Sequence, residues 1–301
     1  MTLRPTLPRS RPGAAHGFPR RAARWFVPAF LVVGLLAGGL GGCASSKPDF
    51  AIPPAMTDDP LAQAKADLAG GNSLKATERL TKFLQENPGS VHVDEANYML
   101  GLAYLDQKDR VLAADYFQKV TRDFPQSPLA AESSYYLAKS YDQLSRPAAL
   151  DQDWTERAIG SYRGFLARYP EHAHAVEAKA RITALEDRLA QKLYDNGALY
   201  LRMGRPGSAE VYFQRVLEQY PQSSWACRSG VGLGQTFMKR NRWQEAVDEL
   251  ARVTDACPDA EAARKGKELL AEARTELARM PAPAPTAPAD TAGAPDSASA
   301  P

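Results

Sequence analysis

From Pro60 to Met280 apolar residues recur every three to four positions, in stretches of about a dozen residues broken by short polar turns. That spacing places the apolar side chains on one face of a helix and predicts a chain of amphipathic helices rather than strands. The helical stretches are punctuated at Asn87-Pro88-Gly89-Ser90, Phe124-Pro125-Gln126-Ser127, Tyr169-Pro170-Glu171-His172, Tyr220-Pro221-Gln222-Ser223 and Cys257-Pro258-Asp259-Ala260. Each proline disfavours the helical conformation in the residue before it, so a helix is expected to close there. The prolines stand 37, 45, 51 and 37 residues apart. Spacings of this size, with two helices between breaks, predict an all-α solenoid of about five helical hairpins, each burying its apolar face on the next. Linkers as short as Lys239–Trp243 make the two helices of a hairpin antiparallel neighbours.

Within the hairpins small and aromatic residues return at fixed offsets. Leu100-Gly101, Tyr104, Ala113, Phe117 and Pro125 form one set; Asn196-Gly197, Tyr200, Ala209, Phe213 and Pro221 repeat it, and Leu233-Gly234, Phe237, Ala246, Leu250 and Pro258 repeat it again. A small residue on one helix lets the other approach, and a bulky one fills the groove beside it. These are the offsets of tetratricopeptide repeats. Two units depart from them. In the third, Leu137, Ala138 and Tyr141 belong to the first helix and Ala158, Tyr162 and Pro170 to the second, with an eight-residue insertion around Arg146-Pro147 to Asp153. The first keeps Ala76, Leu80 and Pro88 but has Asp67 at the aromatic place. His174–Ala190 reads as an additional helical stretch that accounts for the 51-residue spacing, and Glu261–Met280 as a C-terminal capping helix.

The flanks divide the chain further. Residues 1–42 hold six arginines and no acid, followed by an uncharged run from Trp25 to Gly42 that ends in glycines. A basic stretch, an apolar stretch and a small-residue zone in this order are those of an export signal. Leu40-Gly41-Gly42-Cys43 resembles the lipobox of bacterial lipoproteins, which implies diacylglyceryl transfer to the Cys43 thiol and a lipid as the chain's one covalent addition. With no Asp at position 44, the sorting rule of such lipoproteins implies the outer membrane, periplasmic face. Residues 43–59 are then expected to be a lipidated tether, 60–280 the repeat array and 281–301 a tail rich in proline and alanine, too poor in apolar bulk to fold.

Charge narrows the choice of partner. The formal net charge is +2, but removing the six N-terminal arginines from 37 basic residues leaves 31 against 35 acids, or −4. No basic face suited to a phosphate backbone follows, and nucleic acid is not expected. At 44% hydrophobic and 24% charged the composition is that of an ordinary globular chain. Little in it suggests chemistry. His172 and His174 are the only clustered histidines and diverge by about 200° if helical, with no third or fourth ligand near them in sequence for a metal. No glycine-rich phosphate loop or nucleophile–base motif appears, so neither an enzyme nor a cofactor is expected.

The combination resembles one family closely. Leu150-Asp151-Gln152-Asp153-Trp154-Thr155-Glu156-Arg157-Ala158-Ile159 through Tyr169-Pro170 looks like the third repeat of the BamD family, the tetratricopeptide lipoproteins of the β-barrel assembly machinery. Arg188-Leu189-Ala190 through Tyr220-Pro221 fits the fourth. The resemblance implies a scaffold that docks the POTRA domain of a BamA-type barrel protein through its C-terminal repeats. It also implies that N-terminal repeats face unfolded outer-membrane proteins or accessory lipoproteins. Many members carry an arginine before the fourth-repeat glycine; here Met203 precedes Gly204, and Arg202 and Arg205 are the expected substitutes. The alternative is a lipid-anchored adaptor for another envelope machine, such as a pilus-secretin or Tol-Pal system.

Two residue sets carry further expectations. On the first-helix face that lines the groove of tetratricopeptide domains, Tyr98, Leu102, Tyr135 and Lys139 are candidates for partner contact, with inter-repeat packing as the competing use. Cys227 and Cys257 lie at ends of one antiparallel hairpin and are candidates for a disulfide in an oxidising compartment, with two buried thiols packed as small apolar residues as the alternative.

Overall fold

The structure is a computed structural model, and it describes residues 50–56, 59–255 and 257–280. The expected export signal, Cys43 and the expected tail 281–301 therefore lie outside the described residues. Eleven α-helices and no strand are present among those described. They run in chain order as α1 (Ala62–Ala69), α2 (Ser73–Glu86), α3 (Val93–Asp106), α4 (Arg110–Asp123), α5 (Ala130–Leu144), α6 (Asp153–Arg168), α7 (Ala175–Arg202), α8 (Pro206–Gln219), α9 (Ala226–Lys239), α10 (Trp243–Thr254) and α11 (Ala260–Arg279). Each helix packs on the one before and the one after, and α9 also meets α7 and α11. This is a solenoid of five hairpins with α11 as its cap, as the periodicity predicts.

The repeated offsets have a steric basis. A Cβ on Gly101 would stand 2.6 Å from the Phe117 ring, and one on Gly197 2.8 Å from Phe213. In the last hairpin a Cβ on Gly234 would run into Leu250. All three pairs are 16 residues apart, and Phe117, Phe213 and Leu250 are fully or almost fully buried. Ala64 and Leu80, both buried, hold the same spacing in the first hairpin. Ala138 and Tyr162, both buried, hold it plus the eight inserted residues in the third.

The turns repeat as well. Seven residues past each of these small residues the backbone enters the left-handed region: Gly71 (φ 72°), Lys108 (φ 64°), Gly204 (φ 69°) and Asn241 (φ 56°). A left-handed residue just past a helix lets the chain turn back while the last carbonyls stay bonded. Ser145, at the same place in the third hairpin, is extended instead (φ −60°, ψ 138°), and the insertion leaves from there. The Gln152 side-chain amide holds that insertion by donating to the carbonyls of Pro147 (2.9 Å) and Leu150 (3.0 Å).

The extra helical stretch before the fourth unit is not a separate element. It runs without a break into that unit's first helix, making α7 28 residues long, about 42 Å at 1.5 Å per residue. Its N-terminal half gives Ala178, Leu185 and Leu189 to a core that extends from Leu61 to there. Its C-terminal half offers Tyr194, Ala198, Tyr200 and Leu201 to a second core running from Ala209 to Ala273. The array thus has two cores sharing one helix as a beam.

Residues 43–59, expected to be a tether, are fastened at their inner end. Phe50 and Ile52 pack against the first core, and the Ala51 carbonyl accepts a hydrogen bond from Tyr98 at 3.3 Å. The Lys65 ammonium on α1, almost fully buried, donates to the Pro54 carbonyl (2.9 Å) and pairs with Asp59 (2.5 Å) and with Glu95 on α3 (2.6 Å). Burial opposes the charge on Lys65, but the hydrogen bonds to Asp59 and Glu95 outweigh it and hold the ammonium above its ordinary value. Burial likewise opposes the Asp59 charge, yet Lys65 and the Leu61 N–H hold the carboxyl below its ordinary value.

Candidate docking groove

The groove residues expected in the N-terminal repeats are not open to a partner. Tyr98, Leu102 and Tyr135 are 1%, 0% and 0% exposed, a correction to that expectation. Tyr98 is closed in by Ala51 on one side and by the Phe117 and Tyr136 rings on the other, with centroids at 5.8 and 6.3 Å. Tyr135 is stacked by His174 at 3.9 Å and flanked by Phe165 at 5.8 Å. Burial pushes both phenol groups far above their ordinary value. Lys139 is half-buried, its ammonium 5.5 Å from the Tyr135 ring and 5.6 Å from that of Tyr136. Inter-repeat packing and the N-terminal segment have taken this surface.

The equivalent positions two and three hairpins further on are less closed: three of the four are partly exposed, and Val231 is 4% exposed. Tyr98 and Leu102 correspond by offset to Tyr194 and Ala198 on α7 and to Val231 and Gln235 on α9. All four line a cavity of about 500 Å³ between α7, α9 and α11. Its apolar floor includes Leu201, Phe213 and Gly232, and its cations are Arg202, Arg228, Lys239 and Lys265, against one acid, Glu261. Gly232 is needed there, because a Cβ would stand 2.7 Å from the Phe213 ring. Arg202 and Arg205, the expected charged contacts, are both exposed, but only Arg202 lines the cavity; Arg205 stands on the turn before α8. Met203 between them is 54% exposed.

The wall formed by α11 is held in place by two links. Cys227, at the start of α9, is bonded to Cys257, before α11, with a Cα–Cα separation of 5.6 Å. Beside it Arg228 donates to Asp259 at 2.6 Å, and its guanidinium stands 5.3 Å from the Trp225 ring. Asp259 also caps α11, accepting from the N–H groups of Glu261 and Ala262 at 3.0 Å. The Ala262 N–H and Arg228 together keep this carboxyl below its ordinary value. The hydrogen bond to Asp259 holds the Arg228 guanidinium above its own.

Several of these residues escaped the sequence reading. Arg228, Val231, Gly232, Gln235 and Lys239 recur at helical spacing on one face of α9, so the signal was present in the periodicity. Lys265 and Glu261 carried none, because they reach the cavity only through the placement of α11. His172 and His174 do converge, with ring centroids 5.4 Å apart, and their Nε2 atoms lie 3.8 and 3.4 Å from the Glu132 carboxylate. Among the described residues no group of three or more His, Cys, Asp or Glu is placed to hold a metal ion.

A solenoid of antiparallel hairpins with small-to-bulky contacts at a fixed offset and a lined groove is a tetratricopeptide-type scaffold, and residues 200–270 match the tetratricopeptide repeat family. Residues 54–230, more than half of the chain, match the family described as YfiO, outer membrane lipoprotein, and the chain belongs to that family. Among its relatives, an outer membrane protein assembly factor BamD of Rickettsia prowazekii is 25% identical over 72% of this chain and 85% of its own length. One of Caulobacter vibrioides is 25% identical over 63% of each chain. A thermophilic tetratricopeptide protein of Thermus thermophilus aligns over 74% of this chain and 100% of its own, with 18% identity and a TM-score of 0.32.

Proposed function

We propose that this protein is a docking scaffold for outer-membrane protein assembly, held at the periplasmic face of the outer membrane by lipid on Cys43. Membership of an outer membrane lipoprotein family and relatives named as BamD assembly factors support the role. The observation that carries the docking reading is the open, cation-rimmed groove of the fourth and fifth hairpins, at positions whose N-terminal counterparts are buried. An apolar floor with a few placed polar groups suits a protruding partner segment, and the charges steer its approach. The partner is a BamA-type barrel protein, met through an acidic edge of its POTRA domain. Unfolded outer-membrane proteins and accessory lipoproteins are further partners, met outside the closed face of Tyr98, Leu102 and Tyr135. Lys139, half-buried over two aromatic rings, remains the one N-terminal contact candidate with a reachable charge.

Reversing Arg202 and Arg205 to glutamate tests the reading. Recovery of the barrel protein from detergent-solubilised envelopes should fall about tenfold, equivalent to about 1.4 kcal/mol, while the helical circular dichroism stays as it was. Undiminished recovery moves the interface elsewhere, and recovery of secretin or Tol components instead favours another envelope machine. Cys43→Ala should leave unlipidated chain; a mature chain whose cysteine carries no lipid by mass spectrometry removes the anchor from the proposal.

A further inference from the structure

Three rings fill the groove of the second and third hairpins. Phe117 of α4 meets Tyr98 of α3 at 5.8 Å and Tyr136 of α5 at 5.5 Å, and the two tyrosines meet at 6.3 Å. Leu102, one turn beyond Tyr98, is fully buried.

The fourth and fifth hairpins repeat this set 96 residues further on, with two side chains missing. Tyr194 meets Phe213 at the same 5.8 Å. At the place of Tyr136 stands Gly232, and at the place of Leu102 stands Ala198. Gly232 lets the α9 backbone close on one side of the Phe213 ring but supplies no third ring. Tyr194 meets Trp225 instead, at 5.1 Å, and Trp225 does not line the cavity. Tyr194, Ala198, Phe213 and Gly232 all do. The cavity of about 500 Å³ therefore lies where the N-terminal half of the array keeps Tyr136 and Leu102.

The charges around it favour an acidic visitor. Arg202, Arg228, Lys239 and Lys265 line the cavity with Glu261 as the one lining acid, and Asp259 engages Arg228 from outside it. Set against both acids, two positive charges are in excess. Asp195, which acts on Arg202 from outside the cavity, still leaves one.

We propose that the cavity is a socket for one aromatic side chain of the docking partner, flanked on its own chain by carboxylates. The ring takes the place that Tyr136 fills in the N-terminal half, against Phe213 and Tyr194, and Ala198 leaves the room for it. The flanking carboxylates meet Arg202, Lys239 and Lys265. An aromatic ring suits this role because it buries a large area at one point and gains further from edge and offset contacts with other rings. The socket rests on the docking reading above and names what that reading leaves open, the side chain that enters.

Ala198→Leu restores the side chain of Leu102 and should fill the socket. Ala198 is partly exposed, so the leucine needs no room in the core, and circular dichroism and urea unfolding should match the parent. Recovery of the barrel protein should nevertheless fall about tenfold, as for the loss of a central anchor. A second readout needs no partner. Titrated into the full mature chain, acetyl-Asp-Phe-Asp-amide should shift the Gly232 amide resonance more than its Asp-Ala-Asp or Lys-Phe-Lys analogue does, and Ala198→Leu should abolish the difference. Should the leucine variant unfold early, the peptide comparison on the parent chain decides alone. Unchanged recovery in Ala198→Leu, where reversal of Arg202 and Arg205 does reduce it, overturns the socket and leaves the docking reading standing. Equal shifts from the phenylalanine and alanine peptides also overturn the socket, since charge alone then governs binding. Shifts specific to the Asp-Phe-Asp peptide, in a chain whose recovery of barrel protein survives the arginine reversal, keep the socket and overturn the docking reading.

Discussion

Asp142 on α5 takes two guanidinium nitrogens of Arg181 on α7, Nε at 2.6 Å and Nη2 at 2.8 Å, and joins the third hairpin to the helix that follows it. Tyr162 on α6 donates to the same carboxylate at 3.2 Å, so one buried acid binds three successive helices. The Asp142 side chain is 6% exposed and that of Arg181 42%. The hydrogen bond to Asp142 holds the guanidinium above its ordinary value, and burial with the neighbouring Asp142 charge pushes the Tyr162 phenol up.

Removing Arg181 strands a buried carboxylate. Arg181→Met should destabilise the array by about 1–3 kcal/mol, below the 3–5 kcal/mol of a fully buried pair because the arginine is partly solvated. Urea unfolding checks this. Adding Asp142→Asn to Arg181→Met should restore part of the loss, since the neutral amide needs no counter-charge; an unimproved double variant denies that the stranded charge is the cause.

Glycines on α3 and α6 should respond in opposite directions to the same change. Gly101→Ala puts a Cβ 2.6 Å from the Phe117 ring and should cost about 1–3 kcal/mol by overpacking. Gly160→Ala, on α6 with nothing within 4 Å, should stabilise by about 0.5–1 kcal/mol. Thermal denaturation of the two variants beside the parent measures both; equal signs count against the packing account of the repeat.

The Lys65 clip should give the N-terminal segment a two-sided pH dependence. Asp59 has its folded value below 3.8, so its contribution is present above that pH and is lost as pH falls through the folded value. Lys65 has its folded value above 10.5, so its contribution is present below that pH and is lost as pH rises through the folded value. Amide hydrogen exchange at Ala51 and Ile52 should accelerate outside this window beyond the intrinsic pH effect. Lys65→Met should remove the excess at both ends.

The bond between Cys227 and Cys257 closes a loop of sequence separation 30, which stabilises the folded state by about 3–4 kcal/mol. A thiol assay on denatured, unreduced mature protein should find neither cysteine free. Reduction should loosen α11 first, seen as faster proteolysis within 260–279, because its start then keeps the Arg228–Asp259 pair and the packing of Ala262 but loses its covalent link. Two free thiols before reduction remove the bond from the account.

Most of the architecture was written in short-range patterns. The five proline breaks, the 16-residue interval from Gly101 to Phe117 and its recurrence at Gly197 and Gly234 are local repetitions, and each hairpin closes on itself. The eight-residue insertion was countable for the same reason. The continuity of α7 was less legible, since nothing between His174 and Tyr200 distinguishes two abutting helices from one. The sequence also determined which positions of each first helix face the groove, because that face follows from 3.6 residues per turn. It could not determine in which hairpins that face stays open. Tyr98 and Tyr194 occupy the same place in their repeats, yet Tyr98 lies beneath Ala51 while Tyr194 lines a cavity. Whether a groove position is filled depends on segments distant in the chain, Phe50 to Ile52 at one end and α11 at the other. Helical periodicity says nothing about where those segments come to rest. Tertiary packing alone closed the N-terminal groove and left the C-terminal one open, with Arg202, Lys239 and Lys265 around it.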